Sequence, residues 1–196
     1  MTELRPDLAM IAQNVARGSR VLDVGCGDGT LAEALRDDRG CNVHGMEIDP
    51  VNVAECVGKG LSVIQGDADK DLAFYPDGAF DYAILSQTLQ TTMRPDKVME
   101  ELLRIGRRAF VSFPNFAHWR VRLSLLRGGR MPVTRLLPVA WYETPNIHHL
   151  TVADFRDFVR ARGITVEQAW YLSGDRLRGT SVANFRAEHA IFLLSR

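Results

Sequence analysis

The string Val21-Leu22-Asp23-Val24-Gly25-Cys26-Gly27-Asp28-Gly29-Thr30-Leu31 constrains this chain more than any other. Apolar residues interrupted by one acid run into three glycines at alternate positions. A helical pattern of Leu31, Ala32, Ala34 and Leu35 follows at once. The pattern predicts a buried strand, a sharp turn and a helix N-terminus. Glycine permits the positive φ values and the close backbone approach that such a turn needs. The helix start offers unpaired N–H groups to a ligand.

The rest of the chain alternates in the same way. Leu8, Ile11, Ala12 and Val15 sit at helical spacing ahead of a first strand that starts at Arg20. Residues 42–46 predict a second strand, ending in Glu47-Ile48-Asp49-Pro50, with Pro50 suited to the first position of a helix. A third strand at 62–65 ends in Gly66-Asp67-Ala68, and a fourth at 80–85 ends in Ser86-Gln87-Thr88. A helix over about 95–105 precedes a fifth strand at 109–113, closed by Pro114. Thr151-Val152-Ala153-Asp154 reads as a capping-box start with Asp in place of Glu. The helix that follows, to about Arg162, leads to two last strands at 164–172 and 189–194. Strands alternating with helices imply an α/β fold with a parallel sheet covered on both faces. A chain of 196 residues builds one sizeable core, so one domain over 1–196 is expected. In such sheets ligands bind at the carboxyl ends of the strands. Asp23 to Gly29, Glu47, Asp67, Ser86 and Gln87 all fall there.

Charge excludes little but redirects the search. Lys plus Arg and Asp plus Glu each number 24, so the net charge is zero. That removes the general electrostatic argument for a nucleic-acid or membrane-surface partner. No apolar run is long enough to span a bilayer, and residues 1–7 carry no apolar stretch of the signal-peptide kind. Cys26, Cys41 and Cys56 show no CxxC spacing and read as free thiols, not as a disulfide frame or a metal site. The expected location is the cytoplasm.

The spacing of the glycines narrows the ligand. A dinucleotide fingerprint places its third Gly three residues after the second. Here the spacing is Gly25-x-Gly27-x-Gly29, one residue shorter, and Asp23 lies two residues before the first Gly. A pyrophosphate disfavours a carboxylate so close, whereas a cationic amino group is attracted to one. S-adenosylmethionine, a nucleoside joined to an amino acid without phosphate, suits this better.

VLDVGCGDGTL resembles the first motif of the class I methyltransferases, which bind S-adenosylmethionine. The resemblance implies a seven-stranded doubly wound Rossmann-like sheet with its last strand antiparallel and residues 115–150 inserted after strand five. It also implies that an acid after the second strand accepts the ribose hydroxyls, which Glu47 matches 22 positions after Gly25. Asp49 competes for that role or caps the next helix. An acid after the third strand holds the adenine amino group, and Asp67 matches. The expected set for S-adenosylmethionine or S-adenosylhomocysteine is Asp23, Gly25, Cys26, Gly27, Gly29, Glu47, Ile48, Asp67, Ala68, Ser86 and Gln87. Ser86 and Gln87 either orient the ligand or cap the strand end.

A methyl-transfer constellation is not evident. The fourth strand ends in Leu85-Ser86-Gln87-Thr88-Leu89, without the Asp/Asn-Pro-Pro-aromatic string of amino-methylating nucleic-acid enzymes. Phe113-Pro114-Asn115 lacks a cysteine for attack on cytosine. His118, His148 and His149 are the other candidate bases, each read first as a surface or hydrogen-bonding residue and only second as a catalyst.

Residues 115–150 interleave Arg120, Arg122, Arg127, Arg130 and Arg135 with Leu123, Leu125, Leu126, Met131, Leu136 and Leu137, and add Trp119, Trp141 and Tyr142. Aromatics with Arg suit a protein interface; a flap packed on its own sheet is the alternative, and an RNA-binding strip a third, which the balanced charge disfavours. The strings VLDVGCGDG, GMEIDP, ALRD, ECVGKG, SFPNFAHWRVR, GRMPVT and WYETPNIHHLT are together similar to the methionine biosynthesis protein MetW family. That resemblance implies a methyltransferase-like protein that acts with homoserine O-acyltransferase, the contact falling in 115–150, without methyl transfer being established.

Overall fold

The computed structural model describes residues 4–134 and 137–196; Arg135 and Leu136 of the Arg- and Leu-rich stretch lie outside them. In chain order the elements are α1 (Pro6–Asn14), β1 (Arg20–Val24), α2 (Thr30–Arg39), β2 (Asn42–Glu47), α3 (Pro50–Gly58), β3 (Ser62–Gln65), β4 (Phe80–Ser86), α4 (Pro95–Ile105) and β5 (Gly106–Pro114). They continue with α5 (Trp119–Gly128), α6 (Val152–Ala161), β6 (Thr165–Ser173), β7 (Arg176–Leu177), α7 (Ala183–Arg186) and β8 (His189–Ser195). The seven expected strands are present. An eighth, the two-residue β7, pairs with β6 in the polar loop before β8.

All eight strands form one sheet in the order β3-β2-β1-β4-β5-β8-β6-β7. β1 to β5 run parallel, and β8 is antiparallel to both of its neighbours. Strand order reverses between β1 and β4, the crevice where α/β sheets place ligands. Asp23 pairs with Gly45 on one side and Ile84 on the other. The Gly turn after β1 therefore stands beside Ser86 and Gln87 after β4.

Side chains alternate across each strand, so the sheet splits its apolar residues between two faces. Leu22, Val24, Ala83 and Leu85 pack with Met99 and Leu102 of α4 and Phe155 of α6. Val21, Tyr82 and Ile84 pack with Ile11 of α1 and Leu31 and Leu35 of α2. Phe155 sits 4.8 Å from Phe113 and 4.7 Å from Phe192 between ring centres, which fastens α6 over β5 and β8. Helix ends follow the expected chemistry. Asp49 caps α3 by accepting from Val51 N. Thr151 and Asp154 form the reciprocal capping box of α6.

Residues 115–150 make a cap with a small core of its own, Phe116, Val121 and Leu137. Apart from α5 its described residues are irregular, so its place depends on a few hydrogen bonds. Asn115, fully buried, is the root. Its Nδ2 donates to Ala187 O at 2.8 Å and Asn184 O at 3.2 Å, and its Oδ1 accepts from Ala117 N at 3.2 Å and Val152 N at 3.3 Å. The far end of the cap is pinned by Ile147 N and His148 N, both donating to Gln90 O.

Asn115→Ala strips partners from several buried backbone groups, each costing roughly 1–3 kcal/mol when left unpaired. We expect a loss of about 3 kcal/mol in urea unfolding with an unchanged slope. A loss below about 1 kcal/mol would show that the cap does not hang from this residue.

Candidate functional site: a cleft over the glycine turn

Gly25, Gly27 and Gly29 have φ of +69°, +56° and +80°, so all three lie in the left-handed region that glycine adopts freely. What a side chain would meet there differs. A Cβ on Gly25 would run into Thr88, with Cγ2 at 2.9 Å. One on Gly29 would run into Leu61 and into Cys56 Sγ at 2.8 Å. One on Gly27 would meet nothing within 4 Å. Two of the glycines are thus demanded by packing, and the middle one faces open space.

Glu47 holds the turn from beneath. It is 7% exposed. Its Oε2 accepts from Gly27 N at 2.8 Å, and its Oε1 accepts from Ile48 N at 2.9 Å and Asp49 N at 3.0 Å. Gly25 N and Cys26 N donate to Met46 O, so the turn folds across the end of β2.

Above the turn lies a cleft of about 430 Å³. Asp23, Gly25, Cys26, Gly27, Asp28, Thr30 and Leu31 line one side, Ser86, Gln87 and Thr88 the other, and Arg5 and Leu8 of the N-terminal segment close it. Asp23 is 2% exposed and its Oδ2 has no hydrogen-bond partner. Burial first, and then the neighbouring Glu47 carboxylate, push its pKa up to about 7, while Arg5 acts in the opposite direction.

A second acid governs the opposite wall. Asp7, almost fully buried on α1, accepts through Oδ2 from Gln87 Nε2 at 3.0 Å, Ser86 Oγ at 3.3 Å and Ser112 Oγ at 3.4 Å. Its Oδ1 lies 3.4 Å from Arg5 Nε. Gln87 has a φ of +53°, the single positive value outside glycine among the described residues. Asp7 therefore ties α1, and with it Arg5 and Leu8, to the end of β4.

The sequence-predicted residues divide. Asp23, Gly25, Cys26, Gly27, Ser86 and Gln87 meet in the cleft lining. Gly29 and Glu47 shape the turn from behind. Ile48, 63% exposed, follows Glu47 and lies outside the cleft lining. Asp67 stands after β3, where its Oδ1 accepts from Asp69 N at 2.9 Å and its Oδ2 pairs with Lys70 Nζ at 2.8 Å. The Lys70 contact holds its carboxyl below the usual range. Ala68 packs against the core. Outside the expected set, Arg5, Leu8, Asp28, Thr30, Leu31 and Thr88 also line the cleft, and Asp7 holds its opposite wall. Leu8 fitted a core helix, and nothing in the spacing of Arg5 or Asp7 marked them as reaching β4.

The cap adds a second cavity of about 560 Å³ that shares Arg5 and Gln87 with the cleft. Of the three candidate histidines, only His149 lines it, edge-on to Phe116. His118 is buried, and burial holds its pKa down. His148 faces a separate apolar pocket by α6. Among the described residues no group of three or more His, Cys, Asp and Glu is placed to hold a metal ion. None of their helices is long and apolar enough to cross a membrane.

Residues 5–194 match the family model described as methionine biosynthesis protein MetW. The chain belongs to the MetW family. A bifunctional methionine biosynthesis protein MetXA/MetW of Rhodopirellula baltica is 32% identical over 205 residues. The match takes in 98% of this chain but 33% of that protein, so the MetW chain spans about a third of its relative's length. Among solved structures, an S-adenosylmethionine-dependent methyltransferase from Mesorhizobium loti superposes with a TM-score of 0.71 at 17% identity, covering 97% of this chain and 96% of that one. The [4+2]-cyclase SpnF gives 0.68 at 18%, covering 96% and 80%. These two share the methyltransferase-like fold with the MetW chain.

Asp23 yields a test by titration. Its folded pKa near 7 lies above the ordinary carboxylate value of about 3.9, so the folded state keeps the proton longer than the unfolded state. Its contribution to stability is full below about pH 4 and is lost as pH rises through about 7. Unfolding free energies of wild type and Asp23→Asn, compared from pH 5 to 8, should diverge in favour of the variant. A constant difference across that range would contradict the assignment.

Proposed function

We propose that this MetW chain binds S-adenosylmethionine or S-adenosylhomocysteine over the glycine turn and acts as an accessory, regulatory partner of homoserine O-acyltransferase in L-methionine biosynthesis. The observation that carries the binding half is Asp23: a nearly inaccessible carboxylate with an orphaned oxygen, in a cleft with no phosphate-like demand. The ligand's cationic amino group pairs with it once the carboxyl ionises. Gly27, whose absent side chain leaves room, admits the nucleoside close to the backbone. Glu47 Oε2 has acceptor capacity left for one ribose hydroxyl. A second hydroxyl on Oε1 displaces the longer of its two bonds, that from Asp49 N. Ile48 and Ala68 flank the adenine, Asp67 takes its amino group, and Ser86 and Gln87 orient the amino-acid end. When bound, the ligand brings a sulfonium or thioether beside the end of β4. The chain's own residues bind and orient it.

The partner half rests on the bifunctional relative, whose name joins MetXA and MetW in one polypeptide. Two units fused in one polypeptide act side by side, which supports association of the corresponding separate chains. The cap supports this with Trp141, Tyr142 and Leu126 each at least 71% exposed. Large exposed aromatic and aliphatic groups of this kind mark interaction surfaces. The free, buried cysteines suit the reducing cytoplasm. A ligand that binds the free chain and the assembly with different affinity couples methionine status to acyl transfer.

The cavity that opens from the cleft at Gln87 favours a second role, methyl transfer to a small molecule. Formation of S-adenosylhomocysteine from S-adenosylmethionine with candidate acceptors decides it. Tight binding without product across a broad acceptor panel counts against it.

Two outcomes are expected. Gly27→Val, which points its side chain into the cleft, should abolish calorimetric binding of S-adenosylhomocysteine while the protein still unfolds cooperatively. Wild-type affinity in that variant would place the nucleoside elsewhere. The chain should also co-purify with homoserine O-acyltransferase and raise its rate, and Trp141→Ala with Tyr142→Ala should weaken both effects. No complex and no change in rate would dispose of the partner role.

A further inference from the structure

We infer that Gln87 makes the cleft selective for the sulfonium form of its ligand, S-adenosylmethionine, over the thioether, S-adenosylhomocysteine. This rests on the reading of the cleft as a nucleoside site and decides which of the two ligands it holds.

Gln87 follows β4 and lines both the cleft and the cavity under the cap. Its backbone and its amide nitrogen are fully engaged. The backbone N donates to Ser112 O at 2.9 Å, and the backbone O accepts from Gln90 Nε2 at 2.6 Å. Nε2 donates to Asp7 Oδ2 at 3.0 Å and lies 3.1 Å from His189 Nδ1. A carboxylate only accepts, so turning the amide over would set Oε1 against Asp7. The fold therefore fixes which end of the amide is presented. Oε1 is the one polar atom of Gln87 left without a bond. Among the described residues the sealed, unpartnered side-chain atoms are Asp23 Oδ2, Gln90 Oε1 and Arg178 Nε. Gln87 Oε1 is not one of them, so it meets open volume. The backbone is held at a φ of +53° to present it, a region that glutamine rarely adopts. Such outliers collect at ligand sites.

Charge sets the preference. An amide oxygen is partly negative, and a bond from the same amide's nitrogen to an anion polarises it further. Asp7 is that anion, 3% exposed and so little screened by water. Its counter-charge, Arg5, lies 3.4 Å from the other oxygen with a side chain that is 55% exposed. Among the described lining residues Arg5 is the one cation, against the carboxyls of Asp23 and Asp28. The two ligands differ only at sulfur. The sulfonium is a cation whose methyl C–H groups are polarised toward an acceptor; the thioether is neutral and offers lone pairs. With the ligand's ammonium on Asp23, a two-methylene tether carries the sulfur toward β4. Asp23 pairs across the sheet with Ile84, three residues before Gln87.

Calorimetry on the full chain compares S-adenosylmethionine, S-adenosylhomocysteine and sinefungin, whose ammonium replaces the sulfonium. We expect each cation to bind about tenfold tighter than S-adenosylhomocysteine. Gln87→Met keeps the length of the side chain and removes the acceptor, so it should bring the three ligands within about threefold of one another. Asp7→Asn removes the charge behind the amide and should lower the ratio partway. Each ratio is taken within one protein, so a general loss of affinity or stability does not imitate the effect. Equal binding of the three by wild type, tighter binding of S-adenosylhomocysteine, or a ratio that survives Gln87→Met would overturn the inference and leave the nucleoside reading intact. Binding of none of the three would overturn both. If Gln87→Met does not fold, the wild-type ratio and its fall in Asp7→Asn decide.

Discussion

The carboxyl edge of the sheet depends on Glu47. One buried side chain accepts from backbone N–H groups of the glycine turn and of its own strand end, and so joins the ends of β1 and β2. Hydrogen bonds to an ionised acceptor are short and strong, which suits a turn whose three glycines supply no side-chain contacts. The same charge sits near Asp23 and helps keep that second acid protonated up to about pH 7. The support of the turn and the protonation state of the cleft are therefore one problem. A cation entering the cleft relieves what Glu47 imposes.

Much of this was legible in the residues. The glycine spacing, the apolar runs and the acids after successive strands located β1 to β5 and the turn, because period-two burial and positive φ leave direct marks in sequence. Asp49 had two possible roles, and its bond to Val51 N makes it the helix cap. Thr151 and Asp154 paired as their spacing predicts. What stayed hidden were contacts between distant segments. Asp7 reaches Gln87 and Ser112, 80 and 105 positions away. No local pattern encodes such a meeting, since any acid on a surface helix looks the same. The left-handed Gln87 was equally invisible, because glutamine carries no preference for that region.

The cap was the least legible stretch for a related reason. Helical and strand periodicities report burial against a sheet, and most of residues 115–150 lack both. Their position is set instead by single polar residues, Asn115 at one end and Gln90 at the other. In sequence these are ordinary amides. In the fold each is almost wholly enclosed and bonded to backbone, which is where one amide can direct a long irregular segment.

Residues 86–91 thus carry two separate duties. Ser86 and Gln87 face the cleft over the glycine turn and are held by Asp7; Gln90 carries the cap and borders the second cavity. The link between them is short: Gln90 Nε2 on Gln87 O. A fold shared with both a methyltransferase and a [4+2]-cyclase does not choose a function. The choice lies in what is added at the strand ends. Here the addition is a cap pinned to Gln90, three residues after the Gln87 that lines the first cleft. Gln87 lines both spaces, so a change in its conformation would alter the walls of both.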